Sequence, residues 1–321
     1  MYILINPKAG NGKTKKRWNK KIVPILSERK IEYRFDFTEG PNHATELTRE
    51  AIKQGEDFIV TVGGDGTFNE VINGFFDPEN YQPINPECIF GVISSGTGSD
   101  FIKTAGISKE FEESIDILEN GIIQKQDLGI AKFTDLDGNP CSRLFINVAD
   151  TGLGGDVVDR VNRTTKRLGG KISFLIGSIR GILHHHKSQT RLILDDDEEN
   201  AYEYNANMTC ICIGKYFGGG MMISPNSEVD DGKFNVITIQ DGSRWMLLRN
   251  IGKIYDGSHL KMPQVKEHNL CSRVKLFSED PVFLDLDGEQ VGKGEDFEFE
   301  IIPNSLKLKV RKKEEIELEN K

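Results

Sequence analysis

The sequence predicts an α/β chain of two domains, the first built on a parallel sheet and the second on antiparallel strands. Three observations carry this. Short β-branched apolar runs alternate with helix-period stretches through the first third. From about residue 124 the runs become strand-like around polar turns such as "DLDG" (135–138) and "DDDEEN" (195–200). And 321 residues suffice for two domains with a substantial core. The expected boundaries are 1–129 for the α/β domain and 130–302 for the β-rich one. Residues 303–321 are a candidate to complete the first domain, because "SLKLKVRKK" alternates like one more strand.

In order, 2–5 reads as a strand, 14–28 as a helix, 33–37 as a strand and 42–54 as a helix. Residues 58–62 are apolar on nearly every position, as parallel strands buried on both faces are. "GGDGTFNEVINGF" (63–75) follows. Thr67 with Glu70 three positions on fits a capping box, and Val71, Ile72 and Phe75 give the helix an apolar side. Gly63, Gly64 and Gly66 are expected to turn the main chain at positive φ and bring N–H groups to an anion, where a helix start adds unpaired donors. Three glycines around Asp65 read as a phosphate cradle; an ordinary strand-to-helix turn seldom needs them. A strand at 89–93 and a helix at 110–120 complete the domain.

Two more loops leave strand C-termini, where open α/β sheets bind ligands. "NPKAGNGKT" (6–14) has Pro7 where the G-x-x-x-x-G-K-[ST] pattern requires glycine, so that match fails. Its backbone donors and Lys13 still suit a nucleotide, as its composition also suits a plain polar loop. "SSGTGSDF" (94–101) repeats the pattern with Gly96, Thr97 and Gly98. In the second domain "ISPNSEVDDGKFNV" (223–236) sets Asp230 and Asp231 before a glycine, and "FLDLDGEQVG" (283–292) sets Asp285, Asp287 and Glu289 at alternate positions. In a continuous strand those three carboxylates share one face and repel, and Mg²⁺ is the natural cation to hold them. The same spacings suit Asp-Gly hairpin turns.

A net charge of −9 argues against general nucleic-acid binding. Five cysteines without a C-x-x-C pair, with Cys210 and Cys212 on one strand face, read as buried thiols. No apolar run approaches the ~18 residues of a membrane span, and the chain opens on a strand without a signal sequence, so the expected location is cytoplasmic with peripheral membrane contact. The window 160–187 holds seven Lys and Arg and no acid. Arg163, Lys166, Arg167 and Lys171 there suit an anionic bilayer, as they also suit a core helix with a solvated basic end. "HHH" (184–186) reads as a solvated helix end.

Taken in order, "NPKAG", "GGDGTFNEVINGF", "SSGTGSDF", "SPNSEVDDGKF" and "DLDGE" resemble the soluble diacylglycerol kinase and sphingosine kinase-like lipid kinases, most of all their bacterial branch, over about residues 3–302. The resemblance implies a Rossmann-like nucleotide-binding domain, a β-sandwich-like acceptor domain and an active site in the cleft between. It implies Mg²⁺-dependent transfer of the γ-phosphoryl group of ATP to the hydroxyl of a lipid such as diacylglycerol at the membrane surface. It assigns ATP binding to Asn6, Pro7, Gly10, Thr38, Gly63, Gly64, Asp65, Gly66, Thr67, Asn69, Glu70 and Thr97. Catalysis falls to Asp287 and Glu289, either of them the base, together with Asp65. A catalytic Mg²⁺ maps to Asp287 and Glu289, and a structural Mg²⁺ to Asp231 with main-chain carbonyls near Glu228 and Lys233. Ser99 departs from the family pattern, which has Asn at that position, and so puts lipid specificity in question. No nucleic acid is expected as a partner, and a homodimer is an open expectation. The rivals are an NAD kinase, which shares the Gly-Gly-Asp-Gly-Thr loop, and a non-catalytic nucleotide- or lipid-binding regulator of the same fold.

Overall fold

The structure is a computed structural model that describes residues 1–154 and 181–312. The basic residues Arg163, Lys166, Arg167 and Lys171 lie outside the described residues. The chain forms two compact units, Met1–Gln126 with the segment from Asn304 onward, and Asp127–Pro303. No helix among the described residues is long and apolar enough to cross a membrane.

In the first unit β1 (Tyr2–Ile5), β2 (Arg34–Phe37), β3 (Phe58–Gly63) and β4 (Ile89–Ser94) run parallel in the order β4-β3-β1-β2. Lys307 and Leu308 of the last strand pair in parallel with Ile89 and Phe90, so the alternating tail does return. β1 sits between β2 and β3, which makes its C-terminal end the point where the winding reverses, and ligands bind such sheets there. The strands read as continuous apolar runs because both faces are covered. Ile3, Ile5, Val60, Val62 and Ile93 pack on one side against Trp18, Ile22 and Leu118 from helices.

The first helical stretch is not uniform. Thr14–Arg17 and Val23–Glu28 are α-helical, and Trp18–Ile22 between them is a π turn. Pro24 accounts for it: proline has no N–H for the carbonyl four residues back and its ring crowds that carbonyl, so the preceding turn widens.

The second unit is built from β5 (Ile122–Thr134), β6 (Pro140–Phe145), β7 (Val148–Gly152), β8 (Ser188–Leu194), β9 (Tyr202–Cys212), β10 (Tyr216–Phe217), β11 (Met221–Met222), β12 (Asn235–Gln240), β13 (Val265–Glu267), β14 (Arg273–Leu286) and β15 (Glu289–Val310). β5 starts in the first unit and β15 ends in it. The main path β13-β12-β9-β7-β14-β15 is antiparallel, with β8 pairing β9 and β14. Alternation gives this sheet two apolar faces. Ala149, Ile211, Val236, Leu284 and Leu286 pack with Phe145, Phe234, Phe297 and Phe299. Val148, Met208, Cys210, Cys212, Ile237 and Ile239 face the other way, toward Leu153, Ile182 and the helix Arg244–Asn250. By the same alternation Asp150 and Asp285 belong to this second face.

The cysteines are free thiols, four of them buried, as their spacing suggests. The acidic run turns between β8 and β9 with Asp195 and Asp196 at φ 50° and 61°, and Asp195 accepts hydrogen bonds from the N–H groups of Ser272 and Arg273. His184 and His186 are exposed while His185 is buried.

Candidate active site

Three loops leave the C-terminal ends of β1, β3 and β4 and lock together through main-chain contacts. Ser95 and Gly96 both donate N–H bonds to the Gly63 carbonyl, at 2.7 and 2.9 Å. A Cβ on Gly96 would stand 2.6 Å from the Gly64 Cα, and one on Gly63 2.7 Å from the Thr67 side chain. None of Gly63, Gly64 and Gly66 has a positive φ, contrary to the sequence expectation; Gly64 is extended at φ −123°. At Gly63 and Gly64 glycine is needed for close approach of backbones, which a side chain would block. The left-handed residues lie instead at Gly10, Asn11 and Gly12 (φ 59°, 58° and 75°) and at Ser99 (φ 96°).

Thr67 does not cap its helix. The helix Asp65–Phe75 starts two residues earlier, with Gly64 in the cap position and the Asp65 carboxylate in the first turn, a favourable place for a negative charge. Thr67 Oγ1 instead accepts a 2.9 Å bond from Asn6 Nδ2, tying the first loop to the second. Glu70 is likewise no box partner. Its Oε2 accepts from the Ala44 N–H at 3.3 Å and so caps the neighbouring helix His43–Lys53, whose cap residue Asn42 contributes no side-chain bond.

Asp65 holds the third loop. Its Oδ2 accepts from the Ser99 N–H at 2.7 Å and its Oδ1 from the Phe101 N–H at 3.3 Å, and a Cβ on Gly98 would come within 2.5 Å of Oδ2. Burial raises its carboxyl above the usual range, while those N–H bonds pull the other way. Three residues that sequence reasoning missed complete the arrangement: Arg17 Nη1 donates to the Ser95 carbonyl at 2.8 Å, and Thr14 Oγ1 lies 2.9 Å from Ser95 Oγ. Their signal was a hydroxyl and a cation in the first turn after a glycine loop. Thr38 is buried with its N–H on the Ile5 carbonyl at 2.9 Å, Thr97 is exposed and Pro7 half-buried. Asn69 is fully buried and accepts from Asn73 Nδ2. The structure therefore brings Asn6, Gly10, residues 63–67 and Thr97 together, and turns Asn69 and Glu70 inward. The N–H groups of Asp65, Gly66 and Thr67 precede the first helical bond, from Phe68 N–H to the Gly64 carbonyl at 3.0 Å, and form a donor set suited to phosphate.

In the second unit Asp285, Asp287 and Glu289 do not share a strand face. Asp287 and Gly288, at φ 53° and 87°, form a two-residue hairpin turn, and Leu286 pairs with Glu289 across it. The Asp-Gly preference for that turn outweighs strand alternation. Asp287 accepts N–H bonds from Ile146, Asn147 and Val148 at 3.0, 2.9 and 3.2 Å. Glu289, its side chain 39% exposed, pairs with Arg143 Nη2 at 2.8 Å, a partner with no local mark in the sequence. Asp285 Oδ1 accepts the Gly288 N–H at 2.8 Å, and Asp285 lies directly opposite Asp150. Burial raises both of these carboxyls; the neighbouring Asp285 adds to the effect on Asp150, and the Gly288 bond only partly offsets it for Asp285, which is pushed up to about 7.

The residues expected to hold Mg²⁺ differ in how well they suit it. At the 228–233 turn Asp231 Oδ1 accepts the Lys233 N–H at 2.9 Å, and burial and the nearby charges of Glu228 and Asp230 raise its carboxyl. A divalent cation on these oxygens would relieve that repulsion, so this donor set fits. Asp287, facing three N–H groups, and Glu289, facing a guanidinium, do not fit a shared cation as they are placed. Among the described residues no group of three or more His, Cys, Asp or Glu is spaced to hold a metal ion. The second sheet face also carries an apolar groove of about 700 Å³, counting its open mouth, lined by Met208, Phe217, Met246, Ile251, Ile254 and Val265 among others.

Residues 1–131 match the diacylglycerol kinase catalytic domain, and residues 147–310 match the YegS C-terminal NAD kinase beta sandwich-like domain. The chain belongs to the bacterial diacylglycerol kinase family. A diacylglycerol kinase of Mycobacterium tuberculosis is 27% identical over 286 residues, covering 86% of each chain. One from Staphylococcus saprophyticus is 25% identical over 295 residues, covering 91% of this chain and 89% of the relative. Among solved structures a diacylglycerol kinase from Bacillus anthracis superposes with a TM-score of 0.69 at 20% identity, covering 97% of this chain and 96% of that one. Yeast NADH kinase complexed with NADH gives 0.55 at 13%, covering 98% and 84%. These structural likenesses speak to the fold alone, so the NAD kinase rival keeps only the fold. Membership makes the chain a lipid kinase by family, and both the α/β unit and the β-sandwich-like unit agree with the sequence expectation.

Two outcomes are expected from the inward-turned carboxylates. Asp65→Asn sets an amide against the Ser99 or Phe101 N–H, which costs about 1–3 kcal/mol and lowers Tm by about 2–4 °C per kcal/mol in calorimetry; an unchanged Tm would show that the carboxylate does not hold the loop. Glu70→Ala should lose about 1 kcal/mol of helix capping while nucleotide Kd, read by titration calorimetry, stays the same. A weaker Kd at unchanged Tm would place Glu70 at the ligand instead.

Proposed function

We propose that this protein transfers the γ-phosphoryl group of ATP, with Mg²⁺, to the hydroxyl of a lipid such as diacylglycerol presented at a membrane surface. The observation that carries the reading is the interlocked glycine cradle at the switch point of the first unit. The apolar groove of the second unit supports a lipid as the acceptor. In this reading Asn6, Thr67 and Ser95 fix the loops, and the N–H groups of residues 65–67 bind the phosphates. Phosphoryl transfer requires mostly positioning and charge stabilisation, which rigid main-chain donors supply. Magnesium, when bound, neutralises phosphate charge. The oxygens of the 228–233 turn, Asp231 among them, would hold a structural ion.

The bond from the acceptor oxygen to the γ-phosphorus forms as the bridging bond to the β-phosphate breaks, ADP leaves, and the hydroxyl proton passes to a carboxylate. Glu289 suits that role. It is partly exposed and anchored by Arg143, whereas Asp287 is 9% exposed and occupied by three N–H groups, so it positions the turn.

The test is phosphorylation of diacylglycerol in mixed micelles by the purified protein with Mg²⁺ and labelled ATP. Labelled phosphatidic acid is expected, and its absence at full ATP binding would leave the regulator reading in place. Glu289→Gln should lower kcat by about 10²-fold or more at unchanged Tm, and Asp287→Asn should lower Tm as well. An active Glu289→Gln beside an inactive but fully stable Asp287→Asn would reverse the two roles.

A further inference from the structure

Of the chain's two tryptophans, Trp18 is 1% exposed and Trp245 is 77% exposed. Trp245 stands in the helix Arg244–Asn250, none of whose residues is fully buried, and two 3₁₀ turns follow it, Ile251–Tyr255 and Ser258–Lys261. The segment has two sides. Leu248, Ile251 and Ile254 pack on the second sheet face, and Met246, Leu247 and Asn250 line the apolar groove. Trp245 and Arg249, four residues apart and so on one side of the helix, are exposed, as are Lys253 and Tyr255 in the turn that follows.

One exposed apolar side chain is ordinary. Here it comes with a charge pattern. Residues 243–262 hold Arg244, Arg249, Lys253 and Lys261 against one acid, Asp256, in a chain of net charge −9. Asp256 accepts the Ser258 N–H at 2.9 Å, and among the described residues no ion pair neutralises Arg249, Lys253 or Lys261. Aromatic rings with a polar edge settle at the headgroup level of a bilayer, and Lys and Arg beside them meet anionic heads. A second copy of the chain suits the surface less well, because a two-fold contact would set this cationic segment against itself.

We propose that residues 244–261 form the membrane-docking edge of the second unit, with Trp245 seated among the headgroups of an anionic bilayer and Arg249, Lys253 and Lys261 on its phosphates. Docking there brings the groove wall made by the same helix to the bilayer. The inference deepens the kinase reading and rests on it for the use of the lipid, whereas the docking itself needs no turnover. It also supplies a probe, since Trp18 is buried and Trp245 alone of the two tryptophans can report the surface.

The test is tryptophan emission and sedimentation of the purified protein with vesicles of phosphatidylglycerol and phosphatidylcholine in equal parts, against phosphatidylcholine alone. On the mixed vesicles wild-type emission should shift to the blue and be quenched by brominated acyl chains; on phosphatidylcholine alone it should do neither. Trp245→Ala should lose the shift and bind the mixed vesicles about tenfold or more weakly, at unchanged Tm because the side chain is exposed. Arg249→Gln with Lys253→Gln should weaken that binding about 25-fold, on the order of fivefold per charge. Phosphorylation of long-chain diacylglycerol in the mixed vesicles should fall with binding in Trp245→Ala, while that of a short-chain diacylglycerol below its micelle concentration stays the same. Wild type and Trp245→Ala sedimenting equally, or an equal response to phosphatidylcholine alone, would overturn the inference and leave the kinase reading intact. So would a blue shift produced by raising protein concentration without vesicles, which would place a second copy on Trp245. Blue shift and binding without phosphorylation of either diacylglycerol would support the docking edge and overturn the kinase reading.

Discussion

The Asp65 carboxylate on the N–H groups of Ser99 and Phe101 is the contact on which the first unit's ligand face depends. It joins the loop after β3 to the loop after β4, and the Gly63 carbonyl joins them again by accepting from Ser95 and Gly96. With backbones this close, residues 63–67 and 95–101 behave as one rigid edge. Rigidity is what a main-chain phosphate site requires, because donors that must reorganise lose much of their electrostatic value. The glycines permit the approach and the carboxylate locks it.

The second unit repeats the device. Asp287 gathers three N–H groups of residues 146–148 and sets the turn that presents Glu289 to its partner Arg143. The carboxylates of the two units thus divide into two sorts. Asp65 and Asp287 hold backbone, while Asp150 and Asp285 have oxygens with nothing to hold. That difference ties the proposed chemistry to Glu289, whose side chain is partly exposed.

Much of this was legible in the sequence, and the failures have physical causes. Parallel strands buried on both faces announce themselves as unbroken apolar runs, so β1, β3 and β4 and the loops after them were readable. Strand alternation likewise showed the tail's return. The sequence does not say whether a glycine serves positive φ or close approach, because both need the missing Cβ; at Gly63 and Gly64 it was the second. Thr67 and Glu70 fit a capping box locally, yet tertiary partners, Asn6 and the helix at His43–Lys53, claimed both side chains. Asp285, Asp287 and Glu289 looked like one face because the alternation rule was extended through a turn that Asp287 and Gly288 make. Arg143 and Asp150 left no local mark at all, since each matters only through a strand more than a hundred residues away.

Amide hydrogen exchange of the wild-type protein, read at single residues by NMR, tests the locked edge most directly. The account predicts that the Ser99 and Phe101 amides exchange about 10²-fold or more slowly than that of exposed Thr97. It further predicts that Mg²⁺ with ATP slows Asp65, Gly66 and Thr67 while leaving Ser99 as it was. Ser99 and Phe101 exchanging as fast as Thr97, or becoming protected only when nucleotide is added, would contradict it.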